Sequence, residues 1–288
     1  MSPRAPALPA LSDTLRKGFF RRTPLLTLAD HATFEGRRVH LHLKQDLLQP
    51  SGSFKDRGIG HYINTMVSAS AGGSKIRKLV SSSGGNAGYA VATAGALLGI
   101  PVEVYVPSTT SQLMAQKIRS RGATVIVHGE NWNACDAKAR ERAQAAGDSA
   151  LYCMPFDHPH IWSGNSSVVY EIAHDLSLVD RRAQADLIVC SVGGGGLLAG
   201  IMEGLRAVSG GSDSQASSDP HYDPHYTYDA RNYRWELGGT VVVGAETAGA
   251  ASFSLAKRQG AGARLERIET IASTLGALQV TVCSQEAL

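Results

Sequence analysis

Apolar residues in this chain come in two rhythms. Val102-Glu103-Val104-Tyr105-Val106 alternates with a period of two and is closed by Pro107, the mark of a half-buried strand. Val39-His40-Leu41-His42-Leu43 alternates too and predicts a strand with Val39, Leu41 and Leu43 on one face. Lys78 to Ser81, Thr124 to Val127, Asp186 to Val192 and Thr240 to Gly244 read as further short strands, the segment from Asp186 being apolar and β-branched throughout, as in a buried parallel sheet. Between them lie runs of helical spacing: Gly58 to Ser70, Tyr89 to Leu98, Ser111 to Arg121, Asn133 to Gln144, Ser163 to Leu178, Leu197 to Val208 and Ser252 to Arg258. Strands alternating with helices at this spacing predict a doubly wound, parallel α/β sheet.

Two stretches break the rhythm. Residues 1–23 are Pro/Ala-rich and then basic, and read as a flexible N-terminal arm, with organelle targeting a lesser alternative. Residues 209–239 pass from a Gly/Ser linker into a segment rich in Asp, His and Tyr, and read as a mobile surface insertion. Tyr152 to Trp162 carries two prolines and is expected to be an ordered crossover, with Asp157, His158 and His160 not forming a metal site.

Composition narrows the function classes. The chain has 288 residues, 43% hydrophobic and 18% charged, with a formal charge of +3. That is the profile of a globular protein with room for two domains, and it gives no reason to expect nucleic acid or membrane as partner. Cys135, Cys153, Cys190 and Cys283 have no CxxC spacing and read as reduced thiols, which suits a cytoplasmic setting.

Candidate chemistry sits where strands meet helices. Ser51-Gly52-Ser53-Phe54-Lys55-Asp56-Arg57-Gly58 places one lysine after an aromatic, among small residues. A partly desolvated lysine loses proton affinity and becomes a nucleophile for a carbonyl; taken alone, the octapeptide leaves a solvated lysine at a helix start open. Ser82-Ser83-Gly84-Gly85-Asn86-Ala87-Gly88 joins a strand to a helix and offers backbone N–H groups and side-chain donors to an anion, a tightly packed turn that binds nothing being the alternative. Gly193-Gly194-Gly195-Gly196-Leu197 joins a buried strand to an apolar helix. Packing alone is not expected to require four glycines in a row, whereas a phosphate on successive N–H groups would. The spacing matches neither a dinucleotide nor a P-loop fingerprint, which leaves one compact phosphate. A lysine nucleophile, an anion loop and a single-phosphate loop fit one cofactor, pyridoxal phosphate.

With these motifs the chain resembles the fold-type II pyridoxal-phosphate enzymes, and within them the L-serine/L-threonine dehydratases. The residues that carry the resemblance are Pro50 to Lys55, Ser82 to Gly88, Gly193 to Leu197 and Glu246-Thr247. It implies two open, twisted, mainly parallel sheets with the cofactor between a large domain (24–48 and 152–288) and a small one (49–151). It implies that Lys55 holds the cofactor as a Schiff base and later moves the Cα proton. It further implies that Phe54 and Gly84 flank the ring, Asn86 meets its 3′ oxygen, and Gly193, Gly194, Gly195, Gly196 and Leu197 bind the phosphate. Ser83 and its neighbours would take the substrate carboxylate. Gly193, Glu246, Ala250, Ser252, Leu275 and Ala277 would form a monovalent-cation site, potassium being the candidate ion. The implied reaction is β-elimination of ammonia from L-serine, and L-threonine, in a homodimer. Relative to that family the chain reads as C-terminally short, without the motif whose Cys or Ser faces the ring nitrogen. This leaves two alternatives: a non-catalytic cofactor-binding relative, and a β-replacement enzyme of the cysteine synthase type.

Overall fold

The computed structural model describes residues 11–28, 32–34, 36–69, 75–180, 183–210, 235–236, 238–260, 262–272 and 275–281. In chain order its elements are α1 (Leu11–Arg16), β1 (Leu25–Thr27), β2 (Ala32–Phe34), β3 (Arg37–Val39), β4 (His42–Lys44), α2 (Lys55–Ser68), β5 (Lys78–Ser81), α3 (Asn86–Leu98), β6 (Val102–Val106), α4 (Gln112–Arg119), β7 (Thr124–Val127), α5 (Trp132–Ala145), β8 (Ala150–Tyr152), α6 (Pro159–Ser177), β9 (Leu187–Ser191), α7 (Gly196–Val208), β10 (Val241–Ala245) and α8 (Ser252–Gln259). Most of the insertion read at 209–239 and the C-terminal residues 282–288 lie outside the described residues.

The order of the main sheet is β7-β6-β5-β8, with every pairing parallel. The period-two pattern sorts its faces. Leu79, Val102 and Val104 point into a core with Ile59 and Ile63 of α2 and Val91 of α3. Val80 and Tyr105 face the other way, onto Cys135, Ala139 and Ala143 of α5. Because β8 returns to the free edge of β5, the strand order reverses there. Ligands of open α/β sheets collect outside the carboxyl ends of strands at such a reversal. A second parallel pair, β9 and β10, packs through Val192 onto α7 and α6, where Leu198, Ile201, Leu205 and Val169 complete a separate core. Among the described residues no helix is long and apolar enough to cross a membrane.

Three expectations are corrected. The N-terminal arm is not flexible throughout: α1 is a helix, and Leu15, Phe19 and Phe20 after it are buried. The strand expected at Val39–Leu43 is split between β3 and β4, and Val39, Leu41 and Leu43 are all exposed rather than sharing a buried face. The apolar segment from Asp186 is a parallel strand, but Leu187 and Val189, with Val241 and Val243 beside them, form an exposed face, so the described residues cover only one side of this pair.

Candidate active site

Both motif loops leave strands at their carboxyl ends: Ser82–Gly85 follows β5, and Gly193–Gly195 follows β9. Between them runs the segment after β8, and it joins the pieces. Lys55 Nζ donates to the Pro155 carbonyl at 2.7 Å. It lies 5.2 Å from the centre of the Phe54 ring and 5.9 Å from that of Phe156. The Phe156 ring in turn lies against Gly194, and its carbonyl against Gly196. The lysine, both aromatics and the glycine run therefore meet at one place.

Lys55 is the first residue of α2, three residues earlier than the helix start read from Gly58. Burial lowers its pKa from the ordinary 10.5 to about 8. Such an amine is neutral over far more of the neutral-to-alkaline range than a solvated lysine. With its amine bonded to a carbonyl and set beside two aromatic rings, Lys55 is not a freely solvated lysine.

The glycine run is explained differently from the expectation. A Cβ on Gly193 would stand 1.8 Å from the Leu275 carbonyl oxygen, one on Gly194 would stand 2.4 Å from the Phe156 ring, and one on Gly196 2.6 Å from the Phe156 carbonyl. Gly195 has φ +84, a left-handed conformation that favours glycine. Packing and backbone geometry thus already demand all four. The run remains suited to an anion, because it delivers the N-terminus of α7 with no side-chain cap.

Capping differs among the helices. Ser111, Asn131 and His158 cap α4, α5 and α6 with their side chains. Helices α2, α3 and α7, which carry the motifs, have no side-chain cap. Three hydroxyls of the motif stretches, Ser51 Oγ, Ser53 Oγ and Thr247 Oγ1, are buried without a hydrogen-bond partner. Unpaired buried oxygens are costly and call for a ligand or water. A nucleophilic amine between aromatic rings, an uncapped helix start behind a glycine run and unpaired hydroxyls fit a phosphorylated aldehyde.

The two serines of the β5 loop are not equivalent. Ser82 Oγ donates to Asp136 Oδ1 at 2.7 Å and lies 3.2 Å from the Tyr152 hydroxyl, which also bonds Asp136. Arg140 completes this cluster with a 2.7 Å ion pair to Asp136. Ser82 is therefore committed to the α5 side of the sheet and is not the free donor the sequence suggested. Ser83 is partly buried, and its Oγ accepts from the Gly85 N–H at 3.2 Å. Asn86 opens α3 and is exposed, and Gly84 packs against Thr110. Ser82→Ala is expected to lower the unfolding free energy by about 1–2 kcal/mol in urea titrations, since it removes one of the two hydroxyl donors to a mostly buried carboxylate oxygen; an unchanged midpoint would show that water replaces the hydroxyl.

Of the residues read as a cation site, Gly193, Ser252 and Leu275 meet. Ser252 Oγ donates to the Gly193 carbonyl at 3.3 Å, and Gly193 abuts the Leu275 carbonyl. Gly276, which Ala277 follows, packs on Ala250. Both Glu246 oxygens accept N–H bonds from the first turn of α8, from Phe253 and Ser254 at 2.8 Å each. Pro155 and Phe156 were missed by the sequence reading; the available signal was a Pro-aromatic pair at the carboxyl end of a strand only three residues long.

Comparisons with known proteins agree on one family. The family model for pyridoxal-phosphate dependent enzymes matches residues 17–286. An L-serine dehydratase of Saccharomyces cerevisiae strain AWRI1631 is 36% identical over 266 residues, 89% of this chain and 70% of that protein. The catabolic L-serine/threonine dehydratase of strain S288c is 36% identical over 265 residues, 89% of this chain and 65% of that protein. Among solved structures, a fungal L-serine ammonia-lyase from Rhizomucor miehei is similar with a TM-score of 0.72 at 30% identity, covering 93% of this chain and 73% of that one.

Proposed function

This chain belongs to the pyridoxal-phosphate-dependent enzymes, and from that premise we propose that it deaminates L-serine to pyruvate and ammonia, and L-threonine to 2-oxobutyrate, by β-elimination. The observation that carries the reading is the Lys55 amine, partly buried, poised between the Phe54 and Phe156 rings, with Phe156 resting on the glycine run. Pyridoxal phosphate, when bound, supplies an electron sink for the charge left on Cα.

The chain's own residues divide the remaining work. The Lys55 amine would hold the cofactor through its aldehyde until the substrate's own amine displaces it; the freed amine would then accept the Cα proton and return a proton to the departing β-hydroxyl, which leaves as water. A base with its pKa near the working pH is the effective choice. The α7 N-terminus, with Gly193, Gly194, Gly195, Gly196 and Leu197, would receive the phosphate. Phe54 and Gly84 would flank the ring and Asn86 would meet its 3′ oxygen. Ser83 and the α3 N-terminus hold the substrate carboxylate. Gly193, Glu246, Ala250, Ser252, Leu275 and Ala277 would hold a potassium ion. The unsaturated amine that leaves hydrolyses in water to the keto acid and ammonia. The two sheets act as separate domains, 49–151 closing on 24–48 with 152–288. A homodimer and a cytoplasmic setting complete the reading; the buried free thiols of Cys135, Cys153 and Cys190 suit the latter.

The test is pyruvate formation from L-serine by the purified chain with pyridoxal phosphate and potassium. Visible cofactor absorbance together with pyruvate supports the reading. Absorbance without pyruvate would make the chain a cofactor binder that does not deaminate serine. With Ser83→Ala the KM for serine is expected to rise about 10-fold or more, as loss of a hydrogen bond to a charged group costs, and Ser82→Ala should leave it within about 2-fold because its hydroxyl is turned onto Asp136.

A further inference from the structure

We infer that Arg57 is a positioning residue for the reaction: it locks the first turn of α2, and with it Lys55, onto α6 and onto the turn at Asp46. The inference rests on the reading of Lys55 given above.

Arg57 is 0% exposed and among the largest fully buried side chains. Its guanidinium grips two carboxylates, each through two nitrogens. Nε and Nη2 donate to Asp46 at 2.8 and 2.7 Å, and Nη1 and Nη2 donate to Glu171 at 2.6 and 2.9 Å. Nη1 also reaches Ser167 Oγ at 3.0 Å, and Nη2 reaches Thr23 Oγ1 at 3.1 Å. Asp46 belongs to the turn after β4, Glu171 and Ser167 to α6, and Thr23 to the approach to β1. One planar fork therefore ties three separate segments to the start of α2.

The array extends beyond Arg57. Lys44 Nζ pairs with Glu171 at 2.9 Å and Asp175 at 3.3 Å, and Arg22 pairs with Asp175. Three cations, Arg22, Lys44 and Arg57, stand against three anions, Asp46, Glu171 and Asp175. Burial alone would raise the Glu171 carboxyl; the Arg57 and Lys44 charges more than reverse it and hold it below its ordinary value. Removing one partner from such an array strands a buried charge.

The link to Lys55 is local. Arg57 lies two residues beyond it, in the same turn, and that turn has no side-chain cap. The turn is held instead by Asp56, which accepts from the Ser51 N–H at 2.6 Å, and by Arg57. Its backbone is also pressed against α6. A Cβ on Gly58 would stand 2.7 Å from Ile161 and Asn165, and one on Gly164 would stand 2.4 Å from the Arg57 carbonyl. Helix α6 opens four residues beyond Pro155, whose carbonyl receives the Lys55 amine. Arg57 thus fixes the lysine's Cα relative to the chain segment that holds its Nζ. A nucleophile displaced by about 1 Å loses on the order of 100-fold in rate.

The test compares Arg57→Lys, which keeps the charge and loses the fork, with Val169→Ala, a buried change on α6 outside the array. Two readouts are taken besides melting temperature. One is kcat and KM for L-serine per cofactor-loaded protein. The other is the pH midpoint for capture of pyridoxal phosphate by Lys55 without substrate, trapped with borohydride and located by peptide mapping. Arg57→Lys is expected to lower kcat about 100-fold with KM changed by less than about 3-fold, and to move the capture midpoint from about 8 toward the ordinary lysine value of 10.5. Val169→Ala should lower the melting temperature and leave both readouts in place. Arg57→Lys with a lowered melting temperature, a parental kcat and a parental midpoint would overturn the inference. If Arg57→Lys does not fold, Ser167→Ala removes a single acceptor: a several-fold fall in kcat and a shifted midpoint support the inference, and parental values overturn it. If the parent captures the cofactor but makes no pyruvate, the proposed deamination fails while the midpoint still decides the role of Arg57.

Discussion

Replacing Lys55 with alanine is expected to abolish both the visible absorbance of captured pyridoxal phosphate and pyruvate formation, the latter by about 1000-fold or more, because one amine serves as nucleophile and as base. The parent's capture rate should climb with pH through about 8, where the Lys55 amine loses its proton, rather than through the ordinary 10.5. The cause is burial, since the ammonium is partly stripped of water without a carboxylate among its hydrogen-bond partners. The same shift makes a statement about stability. With a folded-state pKa below the unfolded one, the unfolded chain binds more protons between about pH 8 and 10.5, so stability rises with pH across that window. Below it the lysine's penalty is fully present. In the cofactor-free protein at pH 7, Lys55→Met should therefore unfold at a higher urea concentration than the parent, and the gap should narrow as the pH approaches 10.5. A Lys55→Met protein less stable than the parent at pH 7 would mean that the bond to Pro155 outweighs desolvation. Strong visible absorbance in Lys55→Ala would remove Lys55 from the site altogether.

The parts of this site that could be read in advance are those in which neighbours in sequence are neighbours in space. The lysine follows an aromatic directly, and each anion loop is contiguous with the strand and helix that present it. The alternation of Val102 to Val106 sorted the sheet's faces because Glu103 could not join the apolar one; it pairs instead with Lys78 and Arg142. What could not be read depends on distant partners. Arg57 looks like an ordinary charge on a helix until Glu171, 114 residues away, stands against it. Phe19 and Phe20 look like part of a loose arm until Ile59 and Ile63 offer a surface, at least to Phe19, which joins their cluster. The face of Leu187, Val189, Val241 and Val243 reads as buried because apolar residues occupy both sides of the strands, yet hydrophobicity records what a surface prefers and not what lies beside it. The glycine run is a subtler case. The run was expected to serve a phosphate rather than packing, yet the groups that approach it include Phe156 and Leu275 of the chain itself.

That last point has an experimental consequence. Gly194→Ala drives a methyl group to within 2.4 Å of the Phe156 ring, so either the ring or the loop must move. Overpacking of this kind costs roughly 1–3 kcal/mol. Movement of the ring would disturb the segment whose carbonyl holds Lys55 at 2.7 Å, and movement of the loop would turn the α7 N-terminus away from the phosphate. Either way Gly194→Ala should weaken pyridoxal-phosphate binding by about 10- to 100-fold, the factor that such a cost corresponds to. The second arm asks why. In Phe156→Ala the space above Gly194 opens, and adding Gly194→Ala should then cost much less than it does in the parent, with a coupling of about 0.5–3 kcal/mol in urea melts and in cofactor affinity alike. If the phosphate itself were the only reason for a glycine at 194, the affinity loss would be the same in both backgrounds and the stability cost would be absent from each. The cycle therefore separates a loop shaped by its ligand from a loop shaped by the fold and then used by the ligand. With Cβ clashes at Gly193 and Gly196 as well as Gly194, the geometry favours the second.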